Sequence, residues 1–178
     1  MKVFKFGGAS VKDADGIRNV ANLLQEVGYQ DTCMIVSAMG KTTNALEEVV
    51  RRYFSNENFA EKIDEVEKDH IAIATEVFEN ATEVSIEISQ FFNDLTSFLR
   101  RNKSPNKSYV YDQVVCCGEL ISTKILSMYL NSIGLTNDWL DVRDYIKTDS
   151  TYREAKVDWK LTEKNISKVI IISPFICF

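Results

Sequence analysis

The chain has 178 residues, of which 45% are hydrophobic, and its 21 basic and 26 acidic side chains give a formal net charge of −5. Area scaling predicts burial of about 70% of the unfolded surface, enough for one core and too little for two large domains. This composition excludes wholesale disorder, the negative balance disfavours nucleic acid as a partner, and no stretch reaches the roughly 20 apolar residues of a membrane span.

The first 37 residues predict a strand, a turn, a helix and a second strand. Residues 2–6 alternate polar lysine with apolar valine and phenylalanine, and two glycines end this short strand. Apolar side chains then recur at helical spacing over residues 11–27. Residues 31–37 form a continuous apolar run, typical of a strand buried on both faces. Such a unit is parallel and predicts an α/β fold with a mainly parallel sheet between helical layers.

The remaining elements predict helices first and strands later. Thr42 or Thr43 is expected to cap a helix, and residues 57–80 and 82–101 predict an antiparallel helical pair inserted into the α/β framework at about 57–101. Residues 111–131 predict a further helix. Short strands are predicted over 137–142 and 168–173. The predicted sheet is incomplete, with unpaired strand edges, so we expect a homo-oligomer or self-association.

Adjacent glycines follow the first strand, in the segment Lys5-Phe6-Gly7-Gly8-Ala9-Ser10. Because glycine has no side chain, backbone N–H groups can approach an anion closely, and the next helix would direct its positive end there. Lys5 can add a full positive charge, and the Ser10 hydroxyl can donate a hydrogen bond. The pattern is typical of a phosphate cradle, but a tight strand-to-helix turn has the same requirements.

A second polar turn follows the second strand, with the sequence Ser37-Ala38-Met39-Gly40-Lys41-Thr42-Thr43-Asn44. Its Gly-Lys-Thr resembles the end of a P-loop, but that pattern requires a glycine where this chain has Ile35 inside the strand. The P-loop interpretation is therefore rejected. Hydroxyls at the carboxyl end of a parallel strand indicate a ligand site, and the alternative is an ordinary capped helix start.

A carboxylate, Glu119, lies in an otherwise apolar helix directly after Gly118. Glutamate is rarely buried without a partner, so a Glu119 on the apolar side would pair with a substrate ammonium. The alternative is a solvated position on the helix. The dense charges over residues 141–154 are interpreted mainly as a solvated loop.

Histidine and cysteine usage disfavours several chemistries. His70, the only histidine, lies in a charged helix and is expected to be exposed, so neither a Ser–His–Asp triad nor a two-histidine metal site is predicted. The four cysteines do not form a C-x-x-C pair, and they are expected to be small buried residues in a reducing compartment. With no signal peptide predicted, we expect a cytoplasmic protein.

Four segments together resemble the motifs of aspartate kinases. The first turn is similar to the family's Lys-Phe-Gly-Gly-Thr-Ser signature, with Ala9 in place of threonine. Residues 36–44 resemble the family's second strand-end motif. Gly118-Glu119-Leu120 and residues 140–144 follow in the expected order, and the resemblance runs to about Trp159.

The resemblance implies an amino acid kinase-like fold and phosphoryl transfer from ATP, with Mg²⁺, to the β-carboxylate of L-aspartate, the first step of lysine, threonine and methionine biosynthesis. It implies that Lys5, as the catalytic residue, holds and neutralises the phosphoryl group together with Gly7 and Gly8. It implies that L-aspartate is bound by the side chains of Ser37, Thr43 and Glu119. Of these, Glu119 would bind the α-ammonium group.

The resemblance also implies segments that the printed chain does not contain. After Lys160 the family continues into a nucleotide-binding half and paired ACT domains, so residues 1–178 are expected to be the amino-terminal part of a catalytic domain in a truncated or frameshifted chain. The alternative function is a non-catalytic amino-acid-binding or interaction module. A related amino acid kinase with another substrate is a third possibility.

Overall fold

The computed structural model describes residues 2–167 and 175–177. These residues form four strands, β1 (Lys2–Phe6), β2 (Thr32–Val36), β3 (Asp138–Trp139) and β4 (Phe175–Cys177). They also form seven helices, α1 (Ala14–Val27), α2 (Thr42–Phe54), α3 (Phe59–Val77), α4 (Thr82–Arg101), α5 (Lys107–Val115), α6 (Cys117–Ser132) and α7 (Trp159–Ile166). Short 3₁₀ turns occupy Gly8–Val11, Val142–Asp144 and Tyr152–Glu154. No helix among these residues combines the length and the hydropathy needed to cross a bilayer.

The four strands form one sheet in the order β1-β2-β4-β3, and every neighbouring pair is parallel. Because β1 and β2 pair in register from Lys2 with Thr32 to Phe6 with Val36, their carboxyl ends meet at the same edge. The predicted α/β fold with a mainly parallel, incomplete sheet is confirmed. Strand β3 is shorter than the predicted 137–142, and the strand predicted over 168–173 lies outside the described residues.

The two faces of the sheet differ in how well they are covered. On one face Phe6, Met34 and Val36 join the main hydrophobic core with the helices. On the other face Cys33 packs against Leu140 and Val142, while Val3 is 57% exposed and Ile35 37% exposed. The expectation that β2 is buried on both faces is therefore wrong at Ile35, because that residue lies on the sparsely covered face.

Helix boundaries near the sheet differ from the predictions in two places. Helix α1 begins at Ala14 because a 3₁₀ turn intervenes and Asp13 caps the helix, its carboxylate accepting a hydrogen bond from the Gly16 N–H at 2.9 Å. Helix α2 is preceded by Lys41 and has no side-chain cap, so the predicted threonine cap is wrong. Thr42 is instead the first residue of α2, and its side chain is buried.

The predicted helical pair is confirmed as α3 and α4, joined by residues 78–81. We call these two helices the helical pair. The helix predicted over 111–131 is divided into α5 and α6 at Cys116. Helix α5 begins earlier than predicted because the Asn106 side chain caps it, accepting a hydrogen bond from the Tyr109 N–H at 3.1 Å.

Candidate functional site

The two strand-end turns contact each other through their backbones. The Ser37 N–H donates to the Phe6 carbonyl at 3.0 Å, and the Gly40 N–H donates to the Gly8 carbonyl at 3.1 Å. A Cβ atom on Gly8 would lie 2.5 Å from the Ala38 carbonyl oxygen, a distance that side chains do not tolerate. Only glycine therefore permits this close approach of the two turns.

Lys5 and Gly7 form the outer part of the first turn. Lys5 is exposed, and its Nζ lies 3.6 Å from the position that a Cβ atom on Gly7 would occupy. The ammonium group thus lies beside the partly buried backbone of Gly7 at the end of β1. The following helix α1 begins only at Ala14, after the 3₁₀ turn, and Asp13 caps its first turn. That its positive end points at the glycines stays a prediction.

Ser10 lies on the 3₁₀ turn, where its backbone N–H donates to the Gly7 carbonyl at 2.8 Å. Its side chain is exposed and borders a shallow cavity of about 540 Å³ whose lining includes Asp13 and Asp15. Lys5 is not one of the described residues that line this cavity. The role of Ser10 as a phosphate donor stays a prediction.

The amino-terminal turn of α6 contacts the second turn directly. A Cβ atom on Gly118 would lie 2.9 Å from Ala38 Cβ and 3.3 Å from Thr42 Cγ2, so a larger residue would displace the helix. Ser122, one turn further along α6, donates its hydroxyl to the Ser37 carbonyl at 2.7 Å. These contacts bring partly buried Glu119 to the same end of the sheet as the two turns.

The second turn also contacts a buried histidine, His70 of α3. The expectation of an exposed His70 is wrong, because its side chain is only 1% exposed. Its Nδ1 lies 2.7 Å from the Val66 carbonyl, and its Nε2 lies 3.4 Å from Thr42 Oγ1. Burial lowers the pKa of His70, which favours the neutral ring. Since a carbonyl can only accept, Nδ1 donates to Val66 and the Thr42 hydroxyl donates to Nε2.

Glu119 borders an open cavity of about 750 Å³ between α5, the start of α6 and the segment 142–155. Across this cavity, Arg143 Nη2 lies 2.6 Å from the Asp141 carboxylate, which also accepts from the Arg143 N–H at 3.0 Å. The interpretation of residues 141–154 as mainly solvated is therefore wrong for Asp141, whose side chain is 16% exposed. Within the described part of the chain, the lining of this cavity includes Glu119 but neither Ser37 nor Thr43.

The backbone thus brings together all three predicted segments, although in the described part of the chain Ser37 and Thr43 do not line the cavity beside Glu119. Sequence reasoning missed the docking roles of Gly118 and Ser122 and the support from His70. A glycine inside an apolar helix is a signal of close packing, and it could have identified Gly118. No comparable local signal marks Ser122.

Comparisons with known proteins agree with this geometry. The model of the amino acid kinase family matches residues 1–178. Bifunctional aspartokinase/homoserine dehydrogenase 2 of Escherichia coli is 28% identical over 97% of this chain and 21% of its own length. Chloroplastic aspartokinase 2 of Arabidopsis thaliana is 31% identical over 74% of this chain and 25% of its own length. The chain therefore spans only about a fifth to a quarter of these relatives.

One solved structure provides a close match of fold. The crystal structure of E. coli aspartokinase III in complex with aspartate and ADP has a TM-score of 0.83 to this chain at 22% sequence identity. The match covers 99% of this chain and 40% of that chain. At this level of identity the match establishes the fold.

Proposed function

The chain belongs to the amino acid kinase family, and we propose that it forms the substrate-binding part of an aspartate kinase domain. The resemblance to aspartokinases, which the motifs predicted, is confirmed by the relatives. The observation that carries the proposal is the close contact between the Gly8 turn and the Ala38 carbonyl. This contact brings a lysine ammonium, the glycine backbone and a hydroxyl-bearing turn to one edge of a parallel sheet, where such sheets bind ligands.

In this proposal each side chain holds a different part of the substrates. Lys5 neutralises the transferring phosphoryl group above Gly7, because its Nζ is exposed and close to that backbone. The carboxylate of Glu119 pairs with the α-ammonium of L-aspartate. The hydroxyls of Ser37 and Thr43 donate to the substrate from the second turn.

The residues at the first turn fit the phosphate end of a nucleotide, because the Lys5 ammonium lies 3.6 Å from the position that a Cβ atom on Gly7 would occupy. ATP, when bound, supplies the γ-phosphoryl group that an oxygen of the aspartate β-carboxylate accepts. The described residues contain no group of three or more histidine, cysteine, aspartate or glutamate side chains that could hold a metal ion. We therefore assign neither Mg²⁺ nor the adenine ring to particular residues.

The alternative is a non-catalytic module that binds an amino acid or an intact kinase chain. Such a module would bind L-aspartate at the same residues as the proposed kinase, but it would not turn over ATP. A related kinase with another amino acid substrate is the third candidate. Phosphoryl transfer to that amino acid in preference to aspartate would identify it.

Calorimetric titration of the purified chain with L-aspartate tests the pocket. We expect measurable binding that Glu119→Gln weakens by about tenfold or more, because a charged hydrogen bond contributes roughly 1.5–3 kcal/mol. The matched control is Glu26→Gln, an exposed glutamate on α1, which should leave the affinity unchanged. Equal affinities for all three proteins would contradict the pocket.

A coupled assay of ATP turnover with aspartate then separates the candidates. For a kinase, we expect turnover that is abolished by Lys5→Met. The control Lys68→Met, at an exposed position on α3, should preserve it. Aspartate binding without turnover would favour the non-catalytic module.

The expected self-association and cytoplasmic location are part of the same proposal. The open face with exposed Val3 and Ile35 supports self-association, because apolar surface favours contact with a second copy. Sedimentation at high concentration tests this, and a sharp monomer boundary would contradict it.

A further inference from the structure

Cys116 lies between α5 and α6 and borders the cavity of about 750 Å³ that also contains Glu119. Its side chain is only partly buried, whereas the adjacent Cys117 is buried. The expectation that the cysteines are simply small buried residues is therefore wrong for Cys116. Its sulfur has access to a cavity large enough to admit a small molecule.

One cationic side chain lies beside the sulfur of Cys116 and favours its thiolate form. Arg143 Nη1 lies 3.7 Å from Cys116 Sγ, and the same guanidinium is paired with the Asp141 carboxylate at 2.6 Å. Cys116 is both the C-cap residue of α5 and the N-cap residue of α6, so the negative end of one helix offsets the positive end of the other. The Sγ atoms of Cys116 and Cys117 both lie within hydrogen-bonding distance of the Gln113 carbonyl oxygen, at 3.7 Å and 3.3 Å.

The electrostatics divide the two neighbouring cysteines into a nucleophile and a donor. The pKa of Cys116 is lowered by interaction with the Cys117 thiol and by Arg143, against the opposing effects of burial and of the Asp141 carboxylate. The pKa of Cys117 is raised well above its usual value by interaction with Cys116 and by burial. Besides Cys116, the charged or titratable side chains among the described residues that line the cavity are Tyr111, Asp112, Glu119, Arg143, Lys147, Asp149 and Tyr152.

We propose that Cys116 is a modification site that exchanges with small disulfides entering this cavity. The Cys116 thiolate attacks one sulfur of the incoming disulfide, and a new S–S bond forms as the original S–S bond breaks. The other half leaves as a thiolate and takes a proton from solvent. Cys116 is thereby oxidised, the small disulfide is reduced, and no further oxidant is needed. The buried Cys117 remains a thiol throughout.

The modification has a consequence that rests on the proposed function. Cys116 and Glu119 are three residues apart, so both side chains lie on the same face at the start of α6. An adduct on Cys116 occupies space that Glu119 borders and lowers affinity for L-aspartate. This consequence fails if Glu119 does not bind aspartate, whereas the reactivity of Cys116 does not depend on it.

The test measures the reaction at each cysteine of the native chain. The protein is treated with oxidised glutathione or iodoacetamide at a series of pH values, and every cysteine-containing peptide is quantified by mass spectrometry. We expect the mixed disulfide with glutathione at Cys116, and a midpoint of the pH–rate profile for iodoacetamide at Cys116 below the ordinary value of about 8.5. A midpoint at or above that value, or modification of Cys117 or Cys33 before Cys116, would overturn the proposal.

Two variants show whether the surrounding charge is responsible. Arg143→Met should raise the midpoint at Cys116 and slow the reaction at pH 7 by about threefold or more, while Arg143→Lys should retain part of the effect. An unchanged profile in Arg143→Met would also overturn the proposal. Circular dichroism confirms that each variant is folded. If Cys116 reacts as expected but aspartate binding is unaffected by the adduct, the proposed role of Glu119 fails and the modification site stands.

Discussion

The helical pair and the segment of residues 138–167 support the candidate site by different means. In the helical pair, ten side chains are buried at helical spacing: Ile63, Val66, His70, Ala74, Val77, Val84, Ile88, Phe92, Leu95 and Leu99. In the segment 138–167, Thr162 is the single buried residue. The first region is stabilised by apolar burial, whereas the second depends on hydrogen bonds and ion pairs.

This difference concerns function because each region contacts a different part of the site. The helical pair contacts Thr42, the residue before Thr43 in the chain, through His70. The segment 138–167 forms the far wall of the cavity beside Glu119 and Cys116. It also contains Tyr152 at φ +56°, a left-handed conformation that is rare for an aromatic residue. We infer that the proposed aspartate site has one rigid support, at Thr42, and one wall that moves easily, beside Glu119.

The largest effect is expected from a cavity in the helical pair. Phe92→Ala removes a ring that is 1% exposed and lies 5.7 Å from the His70 ring. We expect the free energy of unfolding to fall by about 3–5 kcal/mol, since both apolar contacts and packing are lost. Urea denaturation followed by circular dichroism measures it.

The matched control for Phe92 is Ile86→Ala on the same helix, where the side chain is 64% exposed. This substitution should change the free energy of unfolding by no more than about 0.5 kcal/mol. A loss below about 1 kcal/mol for Phe92→Ala would show that the helical pair is not stabilised by burial.

A second test of the helical pair uses its one buried titratable group, His70. His70→Gln cannot titrate, and it replaces the ring that accepts from Thr42. At pH 7.5 we expect a loss of about 1–2 kcal/mol, because a buried hydrogen bond is disturbed. Urea denaturation at several pH values measures the loss.

The pH dependence follows from the direction of the shift. The pKa of His70 is lowered from its ordinary value of 6.5 by burial, so the unfolded chain binds more protons than the folded chain between the two values. Stability from neutral His70 is present above pH 6.5 and is lost as the pH falls through the folded pKa. The difference in the free energy of unfolding between the wild-type chain and His70→Gln should narrow from pH 7.5 to pH 5.5. A constant gap would mean that His70 does not titrate in this range.

The same contrast explains which elements the sequence could predict. The helical pair and strand β2 could be predicted from their regular apolar patterns, and the short strand β1 from its alternation and from the two glycines that end it. His70 was misjudged because its charged neighbours, including Asp69, suggested solvent, although its spacing from Val66 and Ala74 matches the buried face. Helical periodicity decided its burial, and local charge did not.

The break at Cys116 and the contacts of the segment 138–167 could not be predicted in this way. The apolar pattern continues from α5 into α6, so no local signal marks the boundary between the two helices. The approach of Arg143 to Cys116, 27 residues earlier in the chain, depends on tertiary placement. The three site segments were identified from their motifs, but their contacts through Gly118 and Ser122 required the fold.

The smallest effect is expected in the segment 138–167, where Thr162→Val removes one buried hydroxyl. Thr162 Oγ1 accepts from the Lys147 N–H at 3.0 Å and thereby ties α7 to the chain that lines the Glu119 cavity. We expect the segment 138–167 to lose about 1 kcal/mol of local stability, because valine keeps the shape and removes one hydrogen bond. Amide exchange at Lys147 and its neighbours should accelerate, while exchange in the helical pair is unchanged. Hydrogen exchange with mass spectrometry measures both regions at once, and Thr136→Val, at an exposed position, is the control. Equal acceleration in the two regions would show that they unfold together. The segment 138–167 would then be as rigid a support for the site as the helical pair.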